Sequence, residues 1–118
     1  MDRSETRTTT TGQGQLSGDT LGEIIARLVQ GLNPERIYLF GSRARGQGDV
    51  GSDYDLLIVL GDSDLPKHHR ESLSYDLLWG ISTPVDLIVL TRNEFEEASR
   101  VRTSLASTVQ TQGVLLYG

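Results

Sequence analysis

Two short apolar runs, each opened by aspartate, constrain the fold of this chain most strongly. Residues 56–60 follow Asp53 and Asp55, and residues 87–90 follow Asp86. Short runs rich in leucine, isoleucine and valine are typical of buried strands. Burying a carboxylate without a partner is costly, and neither run contains lysine or arginine. The pattern therefore predicts a bound cation near the start of both strands.

Length and composition bound the class of protein. A chain of 118 residues suits one domain with a modest core, and 36% hydrophobic with 23% charged residues is typical of a globular protein. Residues 1–18 have only Leu16 as an apolar side chain after Met1, which predicts a disordered tail before a folded domain over residues 19–118.

Several classes of protein and site are disfavoured by what the sequence lacks. No apolar run is long enough to span a bilayer, and no secretory signal opens the chain, so we expect a cytoplasmic protein without membrane association. The absence of cysteine excludes disulfides and thiolate metal sites. A net charge of −5 argues against nonspecific coating of DNA, and we expect no direct nucleic-acid partner.

Periodicity and turn residues predict an α/β (α+β) fold, a small mixed sheet with helices packed on it. The predicted elements are a helix from Asp19 or Thr20 to Gly31, strands over 36–40 and 53–60, a helix over 67–79, a strand over 85–90, a long helix from 92 towards Gly113, and an edge strand over 114–117. We expect the second helix to face inward through Leu73, Leu77 and Leu78, and the last through Phe95, Ala98, Val101, Leu105 and Val109.

The order of these elements predicts where the acids meet. A connection of ten residues between Gly41-Ser42 and Asp53 favours antiparallel pairing of the first two strands. A helical crossover before Asp86 favours parallel pairing of the next two. Asp53 and Asp55 lie two residues apart, so they point to the same face at a spacing of roughly 6.6 Å. All five residues are therefore expected at one edge of the sheet.

Carboxylates gathered in this way suit Mg²⁺, which binds one or two carboxylates together with substrate phosphates. Two such ions can stabilise the attacking and the departing oxygen of a phosphoryl transfer, with Asp53, Asp55 and Asp86 as ligands. Asp86 could also assist deprotonation of an acceptor hydroxyl. The small residues of the Gly41-Ser42 turn would let backbone N–H groups approach a triphosphate, and Arg43 or Arg45 could contact a phosphate.

Gly41-Ser42, ten intervening residues, Asp53 and Asp55, and the later Asp86 resemble the motif of the polymerase-β-like nucleotidyltransferase superfamily, and the short chain is similar to its minimal nucleotidyltransferases. The resemblance implies that the three acids are catalytic and bind two Mg²⁺ ions, and that Gly41 and Ser42 contact the phosphates of ATP. It also implies an antitoxin that transfers AMP to a tyrosine of a HEPN-type ribonuclease toxin, with which it would form a hetero-oligomer.

Simpler interpretations stay open for individual residues. Asp53 or Asp86 alone could be an ordinary acid beside a turn, and the pair Asp62 and Asp64 lies in a loop without strand context. The adjacent His68-His69 point in different directions on a helix and are expected at the surface. Aromatic residues could stack on a base but are more often part of the core; these are Tyr38, Tyr54 and Trp79.

Two alternatives to a protein-modifying enzyme also stay open. A noncatalytic antitoxin would inhibit its partner by contact alone, but it would have no need of three converging carboxylates. A nucleotidyltransferase acting on an aminoglycoside or a nucleic-acid end usually needs a further domain to bind the acceptor. We therefore favour transfer to a hydroxyl of a protein partner.

Overall fold

The computed structural model describes residues 16–41, 43–44 and 53–118. Its elements are α1 (Leu16–Leu32), β1 (Arg36–Phe40), β2 (Tyr54–Leu60), α2 (Lys67–Leu77), β3 (Val85–Thr91), α3 (Arg92–Ser99), α4 (Leu105–Gln112) and β4 (Val114–Tyr117). The strands form one mixed sheet in the order β3-β2-β1-β4, which confirms the predicted fold class. Within the described ranges, no helix is long and apolar enough to cross a membrane.

The register of the sheet determines which residues share an edge. β1 and β2 pair antiparallel with Phe40 opposite Asp55, so the end of β1 meets the start of β2. β2 and β3 pair parallel with Asp55 opposite Asp86. Both pairings agree with the prediction. The edge formed by the end of β1 and the starts of β2 and β3 is called the acidic edge below.

Helices cover both faces of the sheet, and alternation along β2 assigns its residues to them. Leu56 and Ile58 are buried with Ile24 and Leu28 of α1, whereas Leu57 belongs to the core of α3 and α4. Because side chains alternate along a strand, Asp55 projects on the same side as Leu57. By the same alternation Asp86 shares the side of Ile88, which packs against the α3 and α4 core. The two aspartates therefore project on one face of the sheet.

The end of helix α2 packs against the core through Leu77 and Leu78, as predicted, but Leu73 does not face inward. Leu73 is 48% exposed, and the buried polar residues of the helix are Arg70 and Ser74. α2 lies along β3, an edge strand, and bonds its backbone: the Tyr75 hydroxyl accepts from the Leu87 N–H at 2.9 Å, and Arg70 donates to the Val89 carbonyl at 3.3 Å. Polar side chains of α2 therefore form hydrogen bonds with backbone groups on the open edge of β3. The spacing of apolar residues in the sequence cannot reveal these hydrogen bonds.

The Arg70 guanidinium is almost fully buried, with 5% of its side chain exposed. It donates to both carboxylate oxygens of Glu94, at 2.7 and 3.0 Å, and to the Leu65 carbonyl at 3.1 Å. These bonds from Arg70 are the main reason why the pKa of Glu94 falls to about 2, against the opposing effect of burial. Glu94 also completes a capping box with Thr91. One carboxylate thus links α2 to the start of α3.

The predicted long C-terminal helix is wrong, because the chain forms two helices, α3 and α4. The Ser104 hydroxyl accepts from the Ser107 N–H at 3.0 Å and donates to the Ala98 carbonyl at 2.6 Å, so it begins α4 while bonding the end of α3. Val101 and Leu105, expected in the core, are 56% and 42% exposed. At the other end of the chain, α1 begins at Leu16 rather than near Asp19.

Candidate active site

Three aspartates lie at the acidic edge, each at the start of a strand. Asp53 is exposed and directly precedes β2, Asp55 is the second residue of β2 and is half-buried, and Asp86 is the exposed second residue of β3. Asp55 and Asp86 are direct partners in the parallel ladder, and their side chains are hydrogen-bonded. The structure therefore brings together the acids that the sequence singled out.

The charges of this site are mutually unfavourable. The pKa of Asp55 is raised, first by burial, then by the charges of Asp86 and Asp53, and last by the hydrogen bond to Asp86. Each of these causes acts in the same direction, so ionised Asp55 destabilises the folded protein. A cation bound beside the carboxylates would reverse this effect.

Gly41 directly follows β1 and lies against the carboxylate of Asp55. Its φ of 80° lies in the left-handed region, which strongly favours glycine. A Cβ atom at this position would also lie 3.2 Å from Asp55 Cγ and closer still to Oδ2. The chain therefore needs glycine here both for the turn and for its close approach to the acid. Ser42 and Arg45, which the sequence associated with phosphates, lie outside the described residues.

Replacing Gly41 by alanine should lower the free energy of unfolding by about 1–2 kcal/mol, because a side chain with this φ is strained. The added methyl should also displace the Asp55 carboxylate. Urea unfolding measures the loss. Gly22→Ala is the matched control: a Cβ there meets nothing within 4 Å, and alanine should stabilise α1 by up to about 1 kcal/mol. Equal stability of Gly41→Ala and wild type would contradict the close contact between Gly41 and the Asp55 carboxylate.

Arg43 lies on the other side of the sheet from the acids. Its guanidinium carbon is 4.2 Å from the centre of the Tyr54 ring, a cation–π contact. Tyr54 is buried in the core formed with α1 and α2, so it points away from the two flanking aspartates. A phosphate contact by Arg43 stays a prediction, and it would require the side chain to leave this ring.

The remaining candidates from the sequence lie away from the acidic edge or in the core. His68 and His69 are both exposed, in agreement with the surface interpretation. Tyr38 is buried and its ring stacks on Phe95, with centroids 5.7 Å apart. Trp79, in contrast, is 83% exposed and is not part of the core. An exposed tryptophan of this kind needs another explanation.

The carboxylate oxygens at the acidic edge suit a metal ion that also binds substrate. Among the residues that the structure describes, no three histidine, cysteine, aspartate or glutamate side chains form a metal cluster by themselves. Mg²⁺ does not need such a cluster, because it usually takes one or two carboxylates, substrate phosphates and water. The adjacent carboxylates of Asp55 and Asp86, with the charge of Asp53 acting on Asp55, fit this requirement.

An open cavity of about 240 Å³ adjoins the acidic edge beside Gly41. Its lining residues are Phe40, Gly41, Leu105, Thr108, Gln112 and Gly113. Helix α4 therefore flanks the edge on the β4 side. The position of α4 beside the acidic edge was not predicted, because the sequence suggested one longer helix in place of α3 and α4. Gly113 did indicate the turn after this helix, where the chain returns to pair with β1.

Comparisons with known proteins agree with this geometry. The family model described as nucleotidyltransferase domain matches residues 20–110. A crystal structure of a toxin-antitoxin with AMP-PNP is similar, with 28% identity, a TM-score of 0.59, and coverage of 82% of this chain and 72% of that chain. A mutant of the toxin-antitoxin MntA-HpeT is similar at 27% identity, with a TM-score of 0.58 and the same coverages, 82% and 72%.

One further structure supports the fold alone. It is a putative nucleotidyltransferase from Sulfolobus solfataricus, 24% identical, with a TM-score of 0.59 and coverage of 89% of this chain and 87% of that chain. No match was found among curated proteins.

Proposed function

The chain belongs to the nucleotidyltransferase domain family and is a nucleotidyltransferase, and from this premise we propose that it transfers AMP from ATP to a hydroxyl group of a partner protein. The partner is a HEPN-type ribonuclease toxin, the acceptor is a tyrosine, and the modification silences the toxin in the cytoplasm. One observation carries the proposal: at one sheet edge Asp55 lies against Gly41 and opposite Asp86, and the charge of Asp53 acts on it. Similarity to toxin-antitoxin structures, one with AMP-PNP, supports the partner class and the nucleotide.

The residues have distinct roles in this reaction. Asp55 and Asp86, with Asp53, would hold Mg²⁺, which when bound offsets the charge of the acids and of the phosphates. Gly41 lets the backbone approach the β- and γ-phosphates, because no side chain intervenes. In this arrangement the α-phosphate would lie near the acids, with the leaving pyrophosphate towards the Gly41 turn.

The transfer itself is an in-line displacement at the α-phosphorus. A bond forms between the acceptor oxygen and phosphorus, the bond to the bridging oxygen breaks, and pyrophosphate departs with the electron pair. The hydroxyl proton passes to the carboxylate of Asp86, an exposed acid at the site. The products are pyrophosphate and a partner protein that carries AMP.

Thermal unfolding tests the binding half of the proposal. ATP with Mg²⁺ should raise the melting temperature, because a ligand that binds only the native state stabilises it by about 2.7 kcal/mol at a hundred times its Kd. EDTA should abolish the shift. The Asp86→Ala protein should show little or none of it. An undiminished shift in EDTA would contradict binding through Mg²⁺, and an undiminished shift in Asp86→Ala would remove Asp86 from the metal site and leave a site of two acids.

A further inference from the structure

The cavity beside Gly41 lies on the same face of the sheet as the acids. Phe40, which lines it, packs against the core of α3 and α4, and Asp55 projects on that same side. Phe40 is also the direct partner of Asp55 in the antiparallel ladder. The Cβ atoms of such partners lie about 4.5–5.5 Å apart. The cavity therefore begins one side chain away from the Asp55 carboxylate.

The walls of the cavity suit a flat apolar ring better than a phosphate. Phe40 and Leu105 supply an aromatic and an aliphatic side chain, and none of the described residues that line it is charged. Its volume of about 240 Å³ is smaller than the roughly 300–1,000 Å³ of sites that enclose a whole ligand. The cavity can therefore take one ring system of a nucleotide but not its triphosphate as well.

Gln112 supplies the polar group of the cavity that can both donate and accept. Leu105, Thr108 and Gln112 are spaced three and four residues apart, so they share one face of α4. The Thr108 hydroxyl donates to the Ser104 carbonyl at 3.1 Å, which leaves it only as an acceptor. Gln112 is exposed, and its amide makes no hydrogen bond within the described part of the chain. A glutamine amide presents a donor beside an acceptor, which complements the N6 amino group and the N7 nitrogen of adenine.

The direction of the proposed reaction assigns this cavity to the nucleoside. In an in-line displacement the attacking oxygen enters opposite the leaving oxygen. With pyrophosphate leaving towards Gly41, the acceptor enters from the side away from Gly41, so the cavity is not on its path. The phosphates meet the backbone of the Gly41 turn. The nucleoside is then the part of ATP that an uncharged cavity beside Gly41 can accept.

We propose that this cavity binds the adenine base of ATP, with Phe40 and Leu105 against the ring and the Gln112 amide hydrogen-bonded to its edge. This inference rests on the proposed function and names the residue that selects the nucleotide. Guanine presents two acceptors, O6 and N7, at the same edge, where the Gln112 carbonyl oxygen finds no donor. The protein should therefore prefer ATP to GTP because of Gln112.

Calorimetric titration with ATP, GTP and inorganic tripolyphosphate, each in the presence of Mg²⁺, tests the proposal, since tripolyphosphate lacks a nucleoside. Gln112→Ala should raise the Kd for ATP about tenfold, within the range for loss of a bidentate pair between an amide and adenine. The preference for ATP over GTP should largely disappear. Thr108→Phe, which fills the cavity, should weaken binding of both nucleotides. Neither variant should change the Kd for tripolyphosphate.

Gln110→Ala is the matched control, because Gln110 is an exposed glutamine of the same helix that lines a different cavity, with Glu35 and Arg92. It should bind all three ligands as wild type does. Equal Kd for ATP in Gln112→Ala and Gln110→Ala, with normal transfer of AMP by wild type, would overturn the adenine site and leave the proposed function standing.

Two other results would also count against the adenine site. One is a loss of tripolyphosphate binding in parallel with that of ATP, and the other is a raised KM for the acceptor at an unchanged Kd for ATP. Binding of ATP that depends on Gln112, without any transfer of AMP to the partner, would instead support the adenine site and overturn the proposed function.

Discussion

Replacing Asp53 and Asp55 together by asparagine is expected to abolish transfer of AMP without unfolding the protein. Asparagine keeps the shape of each side chain but removes the negative charge that would hold Mg²⁺. The nucleotide-free variant should be as stable as wild type or more stable, because ionised Asp55 destabilises the fold. Labelled ATP measures transfer, and urea unfolding measures stability.

The pH dependence of the free energy of unfolding provides a second test of this prediction. The pKa of Asp55 is raised above its ordinary value of 3.8, so the folded state binds this proton more tightly than the unfolded chain. Wild type therefore loses stability through Asp55 as the pH rises from 3.8 through the raised pKa. The advantage of the double variant should grow over the same interval. Normal transfer by the variant would remove these acids from the mechanism, and its unfolding would indicate a structural role.

Replacing Glu94 by glutamine should cost about 3 kcal/mol of the free energy of unfolding, because it leaves the buried Arg70 charge without its counter-ion. This is the lower end of the range for such pairs, since 44% of the Glu94 side chain is exposed. Glutamine can still accept from the Thr91 N–H, so the loss reflects charge rather than capping. Chemical denaturation measures it.

Glu97→Gln is the control for Glu94→Gln, because Glu97 is an exposed acid on the same helix. Its replacement should change the free energy of unfolding by less than about 0.5 kcal/mol. The lowered pKa of Glu94 adds a pH test. Its contribution to stability is complete above pH 4.5 and is lost as the pH falls towards about 2. Glu94→Gln should lack this acid-dependent loss. If the two glutamine variants were equally stable, the Arg70 pair would not hold α2 to α3.

The strands and the acidic edge could be predicted because local sequence determines them. Apolar runs define β2 and β3, and a short connection or a helical crossover decides between antiparallel and parallel pairing. Asp55 and Asp86 then fall opposite each other without any knowledge of side-chain packing. Gly41 could be placed at the same edge, although its contact with Asp55 could not.

The helices could be predicted less well because their environment decides which face is buried. Arg70 is buried by its bonds to Glu94 and to the edge of β3, and Leu73 is exposed in consequence. The break before Ser104 depends on a hydroxyl that bonds the end of one helix and the start of the next. Trp79 looked like a core residue by its type, and its 83% exposure follows only from the fold.

Intact-mass spectrometry of the partner ribonuclease tests the central claim most directly. After incubation with this protein, ATP and Mg²⁺, the ribonuclease should gain the mass of one or more AMP units and lose its activity. The gain should disappear when Asp53 and Asp55 are replaced by asparagine, or when EDTA is added. A ribonuclease that stays unmodified and is nevertheless fully inhibited by the Asp53→Asn protein would contradict catalysis and establish inhibition by contact alone.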